Sequence, residues 1–173
     1  ALQNFIGSLN ALGLINKFSN IAINIETITA KQNLYHMAML PCFEDINQIT
    51  VGRGDLSMSM GMGVDDPNVI QATKEIVEFA KSKNKLTSIG GGITPENSAM
   101  ISQIIPADRI NTRHVAAQLS KSDDILTTVT NILHFEIALY KELIKIEPLK
   151  RESYEKRILT TYDRLSVNKN MLA

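Results

Sequence analysis

The chain has 173 residues, 44% of them hydrophobic and 21% charged, a composition that suits one buried core and lies well away from disorder. Eighteen basic side chains offset eighteen acidic ones, so no long-range field gathers nucleic acid or an anionic membrane, and neither is expected as a partner. One cysteine, Cys42, excludes an internal disulfide, and no apolar run approaches the roughly 20 residues that span a bilayer; with no signal peptide legible, the expectation is a cytoplasmic protein with Cys42 a small buried hydrophobe.

Leu2, Phe5, Ile6, Leu9 and Leu12 lie at helical spacing before Gly13, so a helix is under way at the first residue. With no initiating Met, this start reads as that of a cleavage product or of part of a longer gene product. Ile21 to Glu26 reads as a strand, because Ile-Ala-Ile-Asn-Ile is mostly β-branched and nearly continuous in apolarity, as in a strand covered on both faces. Lys31 to Leu40 reads as a short helix, Pro41 to Asp45 as a breaker-rich connection and Ile49 to Gly52 as a second strand. Arg53 to Gly63, rich in Gly, Met and Ser, reads as a loop. Asp66-Pro67 is a good helix start, with Val69, Ile70, Ile76, Val77 and Ala80 as its apolar face.

Leu86 to Ile89 is predicted as a third strand ending in Gly90-Gly91-Gly92, and Thr94-Pro95-Glu96 opens another helix. Asp108 to Thr112 is a weaker fourth strand. Repeated strand-then-helix units imply a parallel sheet built by right-handed crossovers. From Ser122 the pattern changes: Ile125, Leu126, Val129, Ile132, Leu133, Ile137, Tyr140, Leu143 and Ile144 keep helical spacing for about six turns, with Asp123 and Asp124 at the end where the helix dipole favours negative charge. Pro148 breaks that helix. A second one, roughly Lys150 to Leu165, carries Tyr154, Ile158, Thr161, Tyr162 and Leu165 as an apolar line, and the pair would cap the sheet or mediate subunit contacts.

Two acids stand out because each closes a strand-like run: Glu26 after Ile25, and Asp55 in Val51-Gly52-Arg53-Gly54-Asp55-Leu56. At the carboxyl ends of neighbouring parallel strands, acidic side chains converge on one mouth, where two oxygen ligands can hold a hard divalent cation with positions left for water and substrate. Each also has a plainer reading. Glu26 could be a first-turn acid after a strand, and Gly-Arg-Gly is a common turn, so Arg53 is either an anion clamp or a turn residue. Gly52 and Gly54 permit a tight turn and close approach of amides to an anion.

The run Asn24-Ile25-Glu26-Thr27-Ile28-Thr29-Ala30-Lys31-Gln32-Asn33-Leu34, followed by Val51-Gly52-Arg53-Gly54-Asp55-Leu56-Ser57-Met58-Ser59-Met60-Gly61, resembles the HpcH/HpaI aldolase and citrate lyase β-subunit family. The resemblance covers about Ala1 to Ala117 and implies an α/β fold of the TIM-barrel type, here its second half with about four parallel strands. Residues 1–119 would form that half-barrel and 120–173 a helical extension. It implies Glu26 and Asp55 as ligands of Mg2+ or Mn2+, and carbon–carbon bond cleavage or formation beside a carbonyl through a metal-stabilised enolate of a pyruvate-like 2-oxo acid or acyl compound. In that frame Gly52, Gly54 and Ser57 would contact substrate, and Arg53 and Arg113 would be catalytic cations.

The family also uses an Arg and, in aldolases, a His from the first half of the barrel, for which this chain has no sequence. Either another chain or segment supplies that half, which implies a homo-oligomer or a complementing partner, or the chain is inactive alone. The competing reading is a non-catalytic half-barrel interaction module; a phosphoenolpyruvate-utilising transferase would need further cations. Arg113 and His114 would sit at the same mouth or form a bland surface pair, while His36 and His134 read as structural. Gly90-Gly91-Gly92 could offer amides to an anion or simply turn the chain. Met58, Met60 and Met62 would wall a substrate or pack in the core.

Overall fold

A computed structural model describes residues 1–119 and 124–166. The β-branched runs pair in chain order into a five-stranded sheet: β1 (Ala22–Ile25), β2 (Gln48–Gly52), β3 (Leu86–Gly90), β4 (Arg109–Asn111) and β5 (Ala116–Gln118). The first four run parallel, with Ile25 beside Val51, Gly52 beside Gly90, and Gly90 beside Asn111. Because the register is continuous, Glu26, Gly52, Gly90 and Asn111 all come to the carboxyl-terminal edge of one sheet. Ile49, Val51, Ile89 and Ile110 have no exposed surface, and since the consecutive Thr87, Ser88 and Ile89 are all fully buried, β3 is covered on both faces. Burial of one such side chain contributes about 2 kcal/mol, and truncation to Ala costs about 3 because a cavity is left behind.

The helices follow from their caps. Thr27 accepts a hydrogen bond from the Ala30 amide and starts α2 (Ile28–Ala38), after α1 (Leu2–Ala11) has opened the chain. Asp66 accepts from the Asn68 amide at 2.8 Å and, with Pro67 in the first turn, starts α4 (Pro67–Ser82), whose Val69, Ala72, Ile76, Val77 and Ala80 are buried. Thr94 and Asn97 form a reciprocal capping box on α5 (Pro95–Ile104). Asp124 caps α6 (Ile125–Ile146), which buries Val129, Leu133, Ile137 and Tyr140 and packs on both α5 and α7 (Arg151–Ser166). Between strands, Asp108 accepts from the Thr87 amide at 2.8 Å and the Thr87 hydroxyl at 2.7 Å, and its own amide donates back, which fixes β4 to β3.

Two segments differ from expectation. Arg53 to Gly63 reads from composition as a loop, but Arg53–Met60 is a helix, α3, closed by Gly61 in the left-handed conformation at φ 68°. Composition misleads there: Met and Leu are good helix formers, and a Gly just past the helix is a stop signal rather than loop character. The second is β5. Ala116-Ala117-Gln118 has little strand propensity, yet it pairs antiparallel with β4 across the turn closed by the Thr112 amide on the Val115 carbonyl. Arg113 and His114 therefore lie in a hairpin turn. The boundary expected at 119–120, the change of pattern at Ser122 and the acid Asp123 lie at or within residues outside the description. Among the described residues no helix is long and apolar enough to cross a membrane.

Candidate functional site

Glu26 follows β1 directly, and its carboxylate lies over Gly52 at the end of β2. A Cβ built on Gly52 would fall 2.5 Å from Glu26 Oε1, so glycine is what leaves room for the carboxylate. Asn24 Nδ2 donates to the same oxygen at 3.1 Å. The turn that carries Glu26 is held on its far side by the Ile28 amide, which donates to Ser59 Oγ in α3 at 3.0 Å. Gly52 is also the N-cap of α3 and contributes no side chain, so the positive end of that helix meets an acid borrowed from the neighbouring strand. Asp55 lies in the first turn of α3, exposed, with no hydrogen bond or ion pair to any described residue. Glu26 has no cationic partner among them either.

Arg53 is placed differently. It is fully buried, and its Nη2 donates to the Val64 carbonyl at 2.8 Å and to Asp65, while Nε and Nη1 are buried without a partner among the described residues. Burial lowers its pKa, against the opposing hydrogen bond and charge of Asp65. Asp65 in turn accepts from Asn97, whose amide also donates to the Gly92 carbonyl at 2.8 Å. The chain thus ties the start of α3 to the glycine turn after β3. That turn packs so tightly that a Cβ on Gly91, at φ 89°, would strike the Gly54 amide nitrogen. Ser57 is buried too, its hydroxyl donating to the Gly54 carbonyl at 2.7 Å. Met60 packs on the core, whereas Met58 and Met62 are exposed.

At the other end of the same edge, α6 and α7 close a cleft of about 450 Å3 against Gly91, Gly92, Asn111, Thr112 and Arg113. Glu136 of α6, only 1% exposed, accepts from the Thr112 hydroxyl at 2.5 Å and from the His114 amide at 3.0 Å. His114 Nε2 and the Tyr140 hydroxyl share a hydrogen bond of 2.8 Å. Arg164 of α7 donates through Nε to the Ile93 carbonyl at 2.8 Å and stands 3.7 Å from Glu136. Burial lowers the pKa of Arg164, the Glu136 charge opposing it. Tyr140 is raised by burial and by Glu136, against Arg113, Arg157 and Arg164.

The sheet therefore brings Glu26, Gly52, Gly54 and Asp55 to one corner and Arg113 to another, while Arg53 and Ser57 are drawn into packing beneath the first. Arg157, Arg164, Glu136 and Tyr140 were not singled out as site residues from sequence. A signal existed for three of them: Glu136 is a charge between Leu133 and Tyr140 on an otherwise apolar stripe, and Arg157 and Arg164 share one helical face with Thr161. For a divalent cation the fit rests on two hard, cation-free carboxylates and on the space that Gly52 keeps clear. No group of three or more His, Cys, Asp or Glu gathers among the described residues, so such a cation would draw at most two of these side chains and complete its shell from water and substrate.

No family model matches the chain, and no curated relative matches it in sequence. In three dimensions it is similar to a citrate lyase from Burkholderia xenovorans LB400, with a TM-score of 0.51 and 15% identity over 98% of this chain and 59% of that one. The fold is citrate lyase-like. At that identity the likeness speaks for the fold alone, and this chain spans less than two thirds of the length of that protein.

Proposed function

We propose that the chain carries the cation-binding half of a divalent-metal-dependent carbon–carbon lyase or aldolase, acting on a pyruvate-like 2-oxo acid or a related acyl compound. The observation that carries this reading is the Glu26 carboxylate seated over Gly52, beside the first turn of α3 where Asp55 stands uncompensated. A bound Mg2+ or Mn2+ supplies Lewis-acid stabilisation of the charge that develops on a carbonyl oxygen as the adjacent bond breaks or forms. Glu26 and Asp55 would hold it. The amino terminus of α3, its dipole facing the same corner, would favour the anionic end of the substrate. Arg53 acts beneath this corner as a positioning residue, fixing the start of α3 to Asp65 and the glycine turn.

The test is exchange of the methyl hydrogens of pyruvate with deuterated solvent, followed by NMR in the presence of Mn2+. Exchange that requires Mn2+ and disappears in Glu26→Gln and Asp55→Asn is the expected result; exchange that persists in either variant removes the proposal.

A second reading has an observation of its own. β1 has no strand beyond it among the described residues, and an apolar hollow of about 540 Å3, lined by Leu2, Phe5, Ile23, Ile25 and Met37, lies along it. An edge of this kind suits completion by another chain or segment, so the protein would work as a half-barrel module that assembles before acting. Mass measurement in solution separates the cases: a monomer that still catalyses exchange contradicts the requirement for assembly.

A further inference from the structure

We propose that the cleft between the β3 and β4 ends and α7 binds the phosphate group of a small organic phosphate ester, a site separate from the two-carboxylate corner. The cleft is concave, and its charge is unbalanced: Arg113, Arg157 and Arg164 line it against a single carboxylate, Glu136. That carboxylate is already engaged by Thr112, His114 and Arg164. Arg113 and Arg157 form no ion pair with any described carboxylate. Two positive charges thus remain, the complement of a dianion, and guanidinium forks match the oxygens of a tetrahedral oxyanion.

The placement is built rather than incidental. Arg157, Thr160, Thr161 and Arg164 recur at the spacing that puts them on one face of α7, and all four line the cleft. Arg164 fixes that face by its bond to the Ile93 carbonyl, just past the glycine turn. The volume, about 450 Å3, suits a small metabolite rather than a polymer.

The proposal stands on the cleft alone, so it is tested on metal-free protein by calorimetric titration with inorganic phosphate, glycerol phosphate and malonate at constant ionic strength. Glycerol phosphate is expected to bind at least as well as inorganic phosphate, and malonate more weakly than either. Arg157→Gln and Arg113→Gln, neither a buried residue, should each weaken phosphate binding by about tenfold with an unchanged circular dichroism spectrum. Glu26→Gln should leave it intact, which separates this site from the cation corner whatever becomes of the lyase reading. Failure of both phosphates to bind, tighter binding of malonate, binding of inorganic phosphate with exclusion of the ester, or unchanged affinity in both arginine variants would each overturn it.

Discussion

Two corners of one sheet edge carry opposite charge. At the β1–β2 corner, Glu26 and Asp55 are carboxylates without a cation among the described residues, and the nearby guanidinium of Arg53 is buried and turned to Asp65. At the β4–α7 corner, three arginines line a cleft around one buried glutamate. The glycine contact between Gly54 and Gly91 joins the two. The difference shows how a chain with no net charge can still carry local charge of opposite sign at two places on one edge: each corner keeps its charge because the compensating group is tied up elsewhere.

Breaking the acidic corner should give the largest effect. Glu26→Gln and Asp55→Asn each take away one of the two proposed ligands, and loss of Mn2+-dependent pyruvate exchange by roughly a hundredfold or more is expected, against little change in thermal stability. Next is Asp65→Ala, which leaves the buried Arg53 guanidinium without its carboxylate. A loss of about 3 kcal/mol is expected in denaturant unfolding, at the lower end for a broken buried pair because Asp65 itself is half exposed. A loss below about 1 kcal/mol would mean that Arg53 is held mainly by the Val64 carbonyl.

Gly52→Ala sharpens the comparison. The backbone there tolerates alanine, but the new methyl falls on the Glu26 side chain, so Mn2+ affinity should drop by about tenfold while phosphate binding at the other corner is unchanged. The smallest effect belongs to Asp108, the staple between β3 and β4. Burial disfavours its charge, but hydrogen bonds from Lys81 and Thr87 outweigh that and hold its pKa below the usual aspartate value. Its folded pKa is therefore the lower one. The contribution is fully present above the unfolded aspartate range and fades as pH falls through the folded value. Asp108→Asn should cost about 1 kcal/mol at neutral pH and flatten the acid limb of the stability curve.

The carboxyl-terminal edge was legible because β-branched runs followed by acids or glycines mark strand ends directly, as with Ile25-Glu26 and Val51-Gly52. The long tail helix was legible from its apolar period. The short β5 was not, since three residues of low propensity become a strand only through pairing with β4. Nor was the inward turn of Arg53. Nothing local to Gly52-Arg53-Gly54 says that a carboxylate twelve residues on will capture the guanidinium, and that depends on how the loop before α4 folds back. The arginine cleft was hidden for a related reason: its walls come from Arg113 in a hairpin turn and from Arg157 and Arg164 on a helix some fifty residues later, brought together only by the packing of α6 and α7.

The most direct measurement is a calorimetric titration of the protein with Mn2+, run beside Glu26→Gln and Asp55→Asn. Saturable binding of one ion per chain, lost in both variants, is the predicted result. No binding by the natural chain, or equal binding by all three proteins, would contradict the assignment of this corner to a metal.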